Sequence, residues 1–197
     1  MRDMRGYLKP GDVMRVIAHS KNLRDRTILR LLWATGCRLT ELLMLRVSDI
    51  SLEDKVLYFW TLKRREKRRY QRPVLVDAVT IALIEEYLRT YNVGQGPLIK
   101  IGKRRVRQIV SEAGVASGIP RVGAKKIHPH HFRHSHCVAW VRANPSMEGL
   151  RKLQQRLGHA SLSTTAHYLQ FAFSEQQSEV DSVFGEMSAL RGPDQHS

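Results

Sequence analysis

One stretch breaks an otherwise helical pattern, and it constrains the fold of this chain more than any other feature. Val56-Leu57-Tyr58-Phe59-Trp60 and Pro73-Val74-Leu75-Val76 are runs of strand formers, whose β-branched and aromatic side chains suit a pleated, half-buried surface. Between them lies Lys63-Arg64-Arg65-Glu66-Lys67-Arg68-Arg69, which reads as the very basic turn of a hairpin. A short strand near Val47 to Ser51 would complete a small three-stranded antiparallel sheet.

Elsewhere apolar residues recur at helical spacing. Pro10 suits a first helical turn and predicts a helix to about Ala18. Asn22 is a plausible N-cap for a helix ending near Gly36, where glycine can take the left-handed cap conformation. Leu39 to Leu45 reads as a third, short helix. Asp77 to Tyr91 follows the sheet, with Val79, Leu83, Ile84, Tyr87 and Leu88 expected on its inner face. Further helices are expected near Lys103 to Ser117, Pro129 to Arg142, Met147 to Leu157 and Ser163 to Phe171, with loop over Gly118 to Lys126. The fold class is therefore α+β, predominantly helical, with one small antiparallel sheet.

Lys and Arg total 33 against 18 acidic residues, a formal net charge of +15. Such an excess repels itself in the isolated fold and calls for a polyanionic partner. The charge is spread along the chain, which favours a folded surface following a phosphate backbone over a detachable basic arm. The hydrophobic content of 42% allows a packed core. No apolar run approaches the ~20 residues of a membrane span, and the polar N-terminus does not resemble a signal peptide. A cytoplasmic location is the expectation. Cys37 and Cys137, the two cysteines, read as reduced, buried thiols.

Three groups carry chemistry. The first is Thr35-Gly36-Cys37-Arg38-Leu39-Thr40-Glu41-Leu42. Arg38 and Glu41 lie three apart, so a carboxylate can orient a guanidinium able to grip two phosphate oxygens. Alone, the pair would read as a surface ion pair. The second is His128-Pro129-His130-His131-Phe132-Arg133-His134. His130 and His134 have a usable metal spacing, but Arg133 would put a cation among the ligands and no Cys or carboxylate joins them. A catalytic pair of His130 and Arg133 is the better reading. The third is Leu157-Gly158-His159, followed nine residues beyond the His by Tyr168, which alone would pass for a helical hairpin with a buried tyrosine. The chain has no phosphate-binding glycine loop and no carboxylate cluster for two metals. Fixed cations can instead neutralise the charge that develops on phosphorus during transfer.

Taken in order, Thr-Gly-x-Arg-x-x-Glu-Leu, His-x-x-Arg-His and Leu-Gly-His with its distal tyrosine resemble the tyrosine recombinase, or phage integrase, family from Leu8 to about Phe173. The resemblance implies the DNA breaking-rejoining fold for residues 1–174, an N-terminal core-binding domain being absent. It implies that Arg38 and Arg133 clamp the scissile phosphate. His130 and His159 contact its non-bridging oxygens or assist proton movement. Glu41 orients Arg38 and a neighbouring histidine. Lys63 protonates the departing 5′ oxygen, with Lys67 of the same turn as a rival. Tyr168 attacks phosphorus to give a 3′-phosphotyrosine, without cofactor, metal or ATP. The implied partners are double-stranded DNA and further copies of the chain in a synaptic tetramer, at the nucleoid.

A lone catalytic domain holds DNA through fewer phosphates, so binding is expected to be weak and steeply salt-dependent; an isotherm unmoved by salt would contradict this. In residues 175–197, Val180, Val183, Phe184 and Met187 follow helical spacing. That face either docks on a neighbouring protomer, as in the family, or packs on its own domain. Two other functions fit parts of the pattern. One is topoisomerase IB-like relaxation of DNA by a monomer. The other is DNA binding without catalysis, although binding alone has no need of a tyrosine nucleophile.

Overall fold

The computed structural model describes residues 6–63, 68–158 and 165–168. α1 (Pro10–Ala18) begins with its proline in the first turn. α2 (Leu23–Thr35) is capped by Asn22, whose side chain accepts from the Asp25 N–H, and ends at Gly36 in the left-handed region at φ 61°. α3 (Leu39–Met44) follows directly. A single 3-10 turn, Val47–Asp49, leads into β1 (Ile50–Ser51), so the first strand is shorter than the sequence suggests. Asp49 reaches back to the Arg46 N–H at 3.0 Å, a local bond that competes with extension.

β2 (Val56–Lys63) and β3 (Arg68–Leu75) form the hairpin, antiparallel with Val56 opposite Leu75 and Lys63 opposite Arg68. β1 pairs with the other edge of β2, giving the sheet order β1-β2-β3. The expected three-stranded sheet is therefore present. α4 (Ala78–Thr90) starts at Asp77, which caps Thr80. Its inner face is rotated from the expected one: Thr80, Ile81, Ile84 and Tyr87 are buried, while Val79 is 66% exposed. Thr80 can turn inward because Arg30 donates to its hydroxyl, at 2.9 Å. α5 (Lys103–Ala116) is followed by a two-residue hairpin, β4 (Arg121–Val122) with β5 (Lys125–Lys126), where loop was expected. α6 (Pro129–Ala143) and α7 (Met147–Leu157) come next, and residues 165–168 are helical.

α2 lies against α1, α4, α5 and α6, and its fully buried Ile28, Leu29, Leu31 and Leu32 belong to the main core. A smaller cluster joins Cys137 and Val141 of α6 to Leu150, Leu153 and Leu157 of α7, with Ala166 and Tyr168 packed on it. The motif residues sit where these units meet. Among the described residues no helix is long and apolar enough to cross a membrane. Residues 175–197 and their amphipathic pattern lie outside the described residues.

Candidate active site

Gly36 ends α2, and the next residues turn the chain sharply into α3. Arg38 therefore stands at the N-cap of α3, not within its first turn, and Glu41 occupies the third helical position. One Glu41 oxygen accepts from the Arg38 backbone N–H at 2.8 Å, and the other from the Arg38 guanidinium at 3.0 Å. The Arg38 side chain is 41% exposed and that of Glu41 only 7%. A buried carboxylate thus steers an accessible guanidinium.

The second partner of Glu41 is Arg72 of β3, where a histidine was expected. Arg72 donates to both carboxylate oxygens, at 3.1 and 2.8 Å. Burial alone would raise the Glu41 carboxyl, but the hydrogen bonds and charges of Arg72 and Arg38 together hold it below the usual carboxylate range. Removing one partner of such a buried pair costs on the order of 3–5 kcal/mol, because it strands the other charge.

Arg38 lines a cleft of roughly 340 Å³ with Cys37, Leu39, Thr40, Lys103, Arg107, His128, Pro129 and His130. His130 lies in the first turn of α6, which opens with Pro129. Burial, then the charges of Arg133, Arg38 and Arg107, depresses its basicity. Arg133, one turn further along α6, is buried. It donates to the Gly36 carbonyl at 2.6 Å and the Leu157 carbonyl at 3.2 Å. These are the C-terminal ends of α2 and α7, so one guanidinium fork joins two helix ends whose carbonyls lack helical partners.

Tyr168 packs against the opposite end of the same α6 face. Its hydroxyl meets His134 Nδ1 at 3.0 Å, with the two rings edge to face at 5.1 Å. Burial, then the Cys137 thiol, pushes the phenol above its ordinary range, and Arg133 pulls it back. The His134 imidazole is depressed by burial and then by His130, so near neutral pH it is uncharged and can share the tyrosine proton. Among the described residues no group of three or more His, Cys, Asp or Glu could hold a metal ion.

Arg38 and His130 thus meet at one cleft, with the buried Glu41 bracing Arg38. Arg133 lies beside them and acts electrostatically on both His130 and Tyr168. Lys63 ends β2 opposite Arg68, but its side chain, Lys67 and His159 lie outside the described residues. Sequence reasoning passed over Arg72, His134, Lys103 and Arg107. The signal for Arg72 was available: it shares strand parity with Val74 and Val76, so an arginine stands in the inward phase of β3. His134 was visible as an unused metal ligand and as the last residue of the His-x-x-Arg-His motif, with no role attached to it.

A helical domain with a small antiparallel sheet, presenting fixed cations at one cleft and a tyrosine on the helix behind it, is a tyrosine recombinase catalytic domain in fold and layout. The chain belongs to the phage integrase family, whose pattern matches residues 7–175. It is 31% identical over 165 residues to the tyrosine recombinase XerA of Pyrococcus horikoshii, covering 82% of this chain and 55% of the relative. It therefore spans about half the length of that protein. The crystal structure of XerA recombinase superposes with a TM-score of 0.70 at 25% identity, over 88% of this chain and 62% of that one. A XerH site-specific recombinase, bound to its difH substrate, shares the fold at a TM-score of 0.68 and 21% identity, over 83% and 49% of the two chains.

Proposed function

We propose that this chain cuts and rejoins DNA as the catalytic domain of a site-specific recombinase, with Tyr168 as nucleophile. One observation carries the reading: Arg38 and His130 line one cationic cleft, while Arg133, one turn along α6 from His130, is near enough to act electrostatically on both His130 and Tyr168. A phosphodiester seated there would have its two non-bridging oxygens met by Arg38 and Arg133, with His130 donating alongside and His159 completing the set. Charge developing on phosphorus would be neutralised by groups already oriented, the effect that makes such sites powerful.

The step balances without a cofactor. Tyr168 exchanges His134 for the phosphate, its oxygen bonds to phosphorus, and the phosphorus–O5′ bond breaks. The phenolic proton leaves to a neighbouring imidazole, and Lys63 supplies a proton to the 5′ oxygen. One phosphodiester is replaced by another, so rejoining reverses the step and needs neither ATP nor a metal. Lys103 and Arg107 extend the cationic lining onto α5 and suit the neighbouring phosphates of a duplex. The difH substrate to which the XerH site-specific recombinase is bound supports double-stranded DNA as partner. Paired exchange of strands would require a tetramer on two duplexes, formed where the DNA lies, at the nucleoid.

The test uses a pool of nicked duplexes with randomised sequence around the nick, so that a short product diffuses away and traps the intermediate. Denaturing electrophoresis should reveal a covalent protein–DNA adduct, and sequencing of the trapped DNA identifies the site. Tyr168→Phe should abolish the adduct and leave binding to the selected duplex intact. An adduct that persists in this variant would place the nucleophile elsewhere, and relaxation of supercoiled plasmid by a monomer without recombinants would favour a topoisomerase.

A further inference from the structure

Arg72 belongs to none of the motifs that relate this chain to the integrases, yet it joins three of the elements that carry the site. Its side chain is 4% exposed and lies 5.4 Å from the centre of the Phe59 ring. Each oxygen of Glu41 receives one N–H from Arg72 and one from Arg38: Oε1 at 3.1 and 3.0 Å, Oε2 at 2.8 and 2.8 Å. The Nε of Arg72 donates to the Arg156 carbonyl at 2.9 Å. The next carbonyl along, that of Leu157, is the one Arg133 takes.

We propose that Arg72 is a positioning residue for strand cleavage, holding Glu41 so that Arg38 is aimed into the cleft and tying that pair to the end of α7, which leads to His159 and Tyr168. This rests on the reading of the cleft as a phosphoryl-transfer site. The requirement is specific to arginine. A guanidinium is planar and can bond a carboxylate with one edge while Nε bonds a carbonyl; an ammonium has the charge without the fork. Arg133 does the equivalent for Gly36 and Leu157. Two buried forks thus seize consecutive carbonyls of α7 and fix where the nucleophile's segment begins.

Glu41 is faced by Arg38 and the Cys37 thiol from its own segment, by Arg72 from β3 and by Arg133 from α6. Without Arg72, burial, already the largest influence on its carboxyl, is opposed chiefly by Arg38, so the carboxyl takes up a proton more readily as pH falls. A neutral carboxyl holds Arg38 far less firmly. A residue that acts only on stability would produce no such pH dependence in the folded enzyme.

The experiment measures single-turnover adduct formation on the duplex selected above, from about pH 5.5 to 8.5, with duplex affinity and folded fraction recorded at each point. Relative to the unmodified chain, Arg72→Met should cleave about 10-fold more slowly at the alkaline end and a further ~10-fold more slowly at the acid end, with affinity within about twofold. Adding Glu41→Gln to Arg72→Met should remove the pH dependence of that ratio. A ratio that is flat across pH, reduced or not, overturns the proposal. If Arg72→Met does not fold, Arg72→Lys keeps the buried charge and should lose at least about fivefold in cleavage with affinity unchanged. Cleavage at the unmodified rate overturns the proposal again. If the unmodified chain forms no adduct, the recombinase reading fails separately. The titration of Glu41, followed by carbon NMR in Arg72→Lys, then still decides whether Arg72 controls this carboxylate.

Discussion

Unfolding is expected to become easier by about 4 kcal/mol between roughly pH 7.5 and pH 5, mostly above the range where carboxylates titrate. The cause is two buried imidazoles. His136 sits at a junction where Nδ1 donates to the Trp33 carbonyl at 2.8 Å and Nε2 accepts from Arg156 at 3.1 Å. The ring is therefore neutral, and a second proton would have to enter between Nε2 and a guanidinium. Burial first, and then Arg156, lowers it to about 3. His131 accepts the His128 N–H at Nδ1, and burial with its histidine and lysine neighbours lowers it to about 4. In the unfolded chain both return to about 6.5.

The sign follows from proton uptake. With folded affinities depressed, stability is full above the unfolded value near 6.5. It falls as pH drops through the window down to about 4 for His131 and about 3 for His136. At pH 5 each contributes a loss of roughly 2 kcal/mol. Lesser depressions at His128, His130 and His134 act in the same direction. Urea melts across this range should show an uptake of about two protons or more on unfolding. His136→Gln should lower that uptake by about one proton. An uptake below one in the unmodified chain would mean that these imidazoles are protonated in the folded state.

The architecture was legible wherever local chemistry decides it. Asn22, Gly36, Asp77 and Gly158 bound helices for reasons contained in one or two residues, namely a capping side chain or a left-handed conformation. The hairpin was legible because strand formers flank a charged turn. What failed depended on distant partners. Thr80 turns inward because Arg30, fifty residues away, takes its hydroxyl. The short β4–β5 pair turns at Gly123, φ 57°, within a segment too polar and too brief to show a period.

The site divides in the same way. Arg38, Glu41, His130, Arg133 and Tyr168 announced themselves through spacing, and the structure brings Arg38 and His130 together at one cleft with Glu41 bracing Arg38. The supporting bonds were not legible, because they join residues far apart in sequence: Arg72 to Glu41, Arg133 to Gly36 and Leu157, and Arg156 to the carbonyls of Ala34 and Leu75. Each is an arginine taking a carbonyl or a carboxylate, most of them in the interior. In a chain with so many cations, those turned inward cannot be told by composition from those that meet solvent, and strand parity at Arg72 was the one local clue.

Arg133→Met is expected to cost about 2–4 kcal/mol in stability and to reduce adduct formation by at least ~10³-fold. Two losses with different origins combine here. The Gly36 carbonyl, 2.6 Å from the guanidinium, and the Leu157 carbonyl each forfeit a charge-assisted bond, worth roughly 1.5–3 kcal/mol apiece. Part of that is offset, because burial weakens the hold of Arg133 on its own proton and the apolar replacement escapes that cost. The catalytic loss comes from the missing cation beside His130 and Tyr168, and from the freed end of α7. Arg133→Lys separates the two. Its charge remains, but one ammonium cannot serve carbonyls on two different helices, so it should recover part of the cleavage while recovering little of the stability. The comparison needs a chemical melt and a cleavage assay on all three proteins. If Arg133→Lys instead regains the full melting midpoint, the two carbonyl bonds do not hold the helix ends together. If Arg133→Met cleaves within about tenfold of the unmodified chain, then Arg38 and the histidines must carry the phosphate without it.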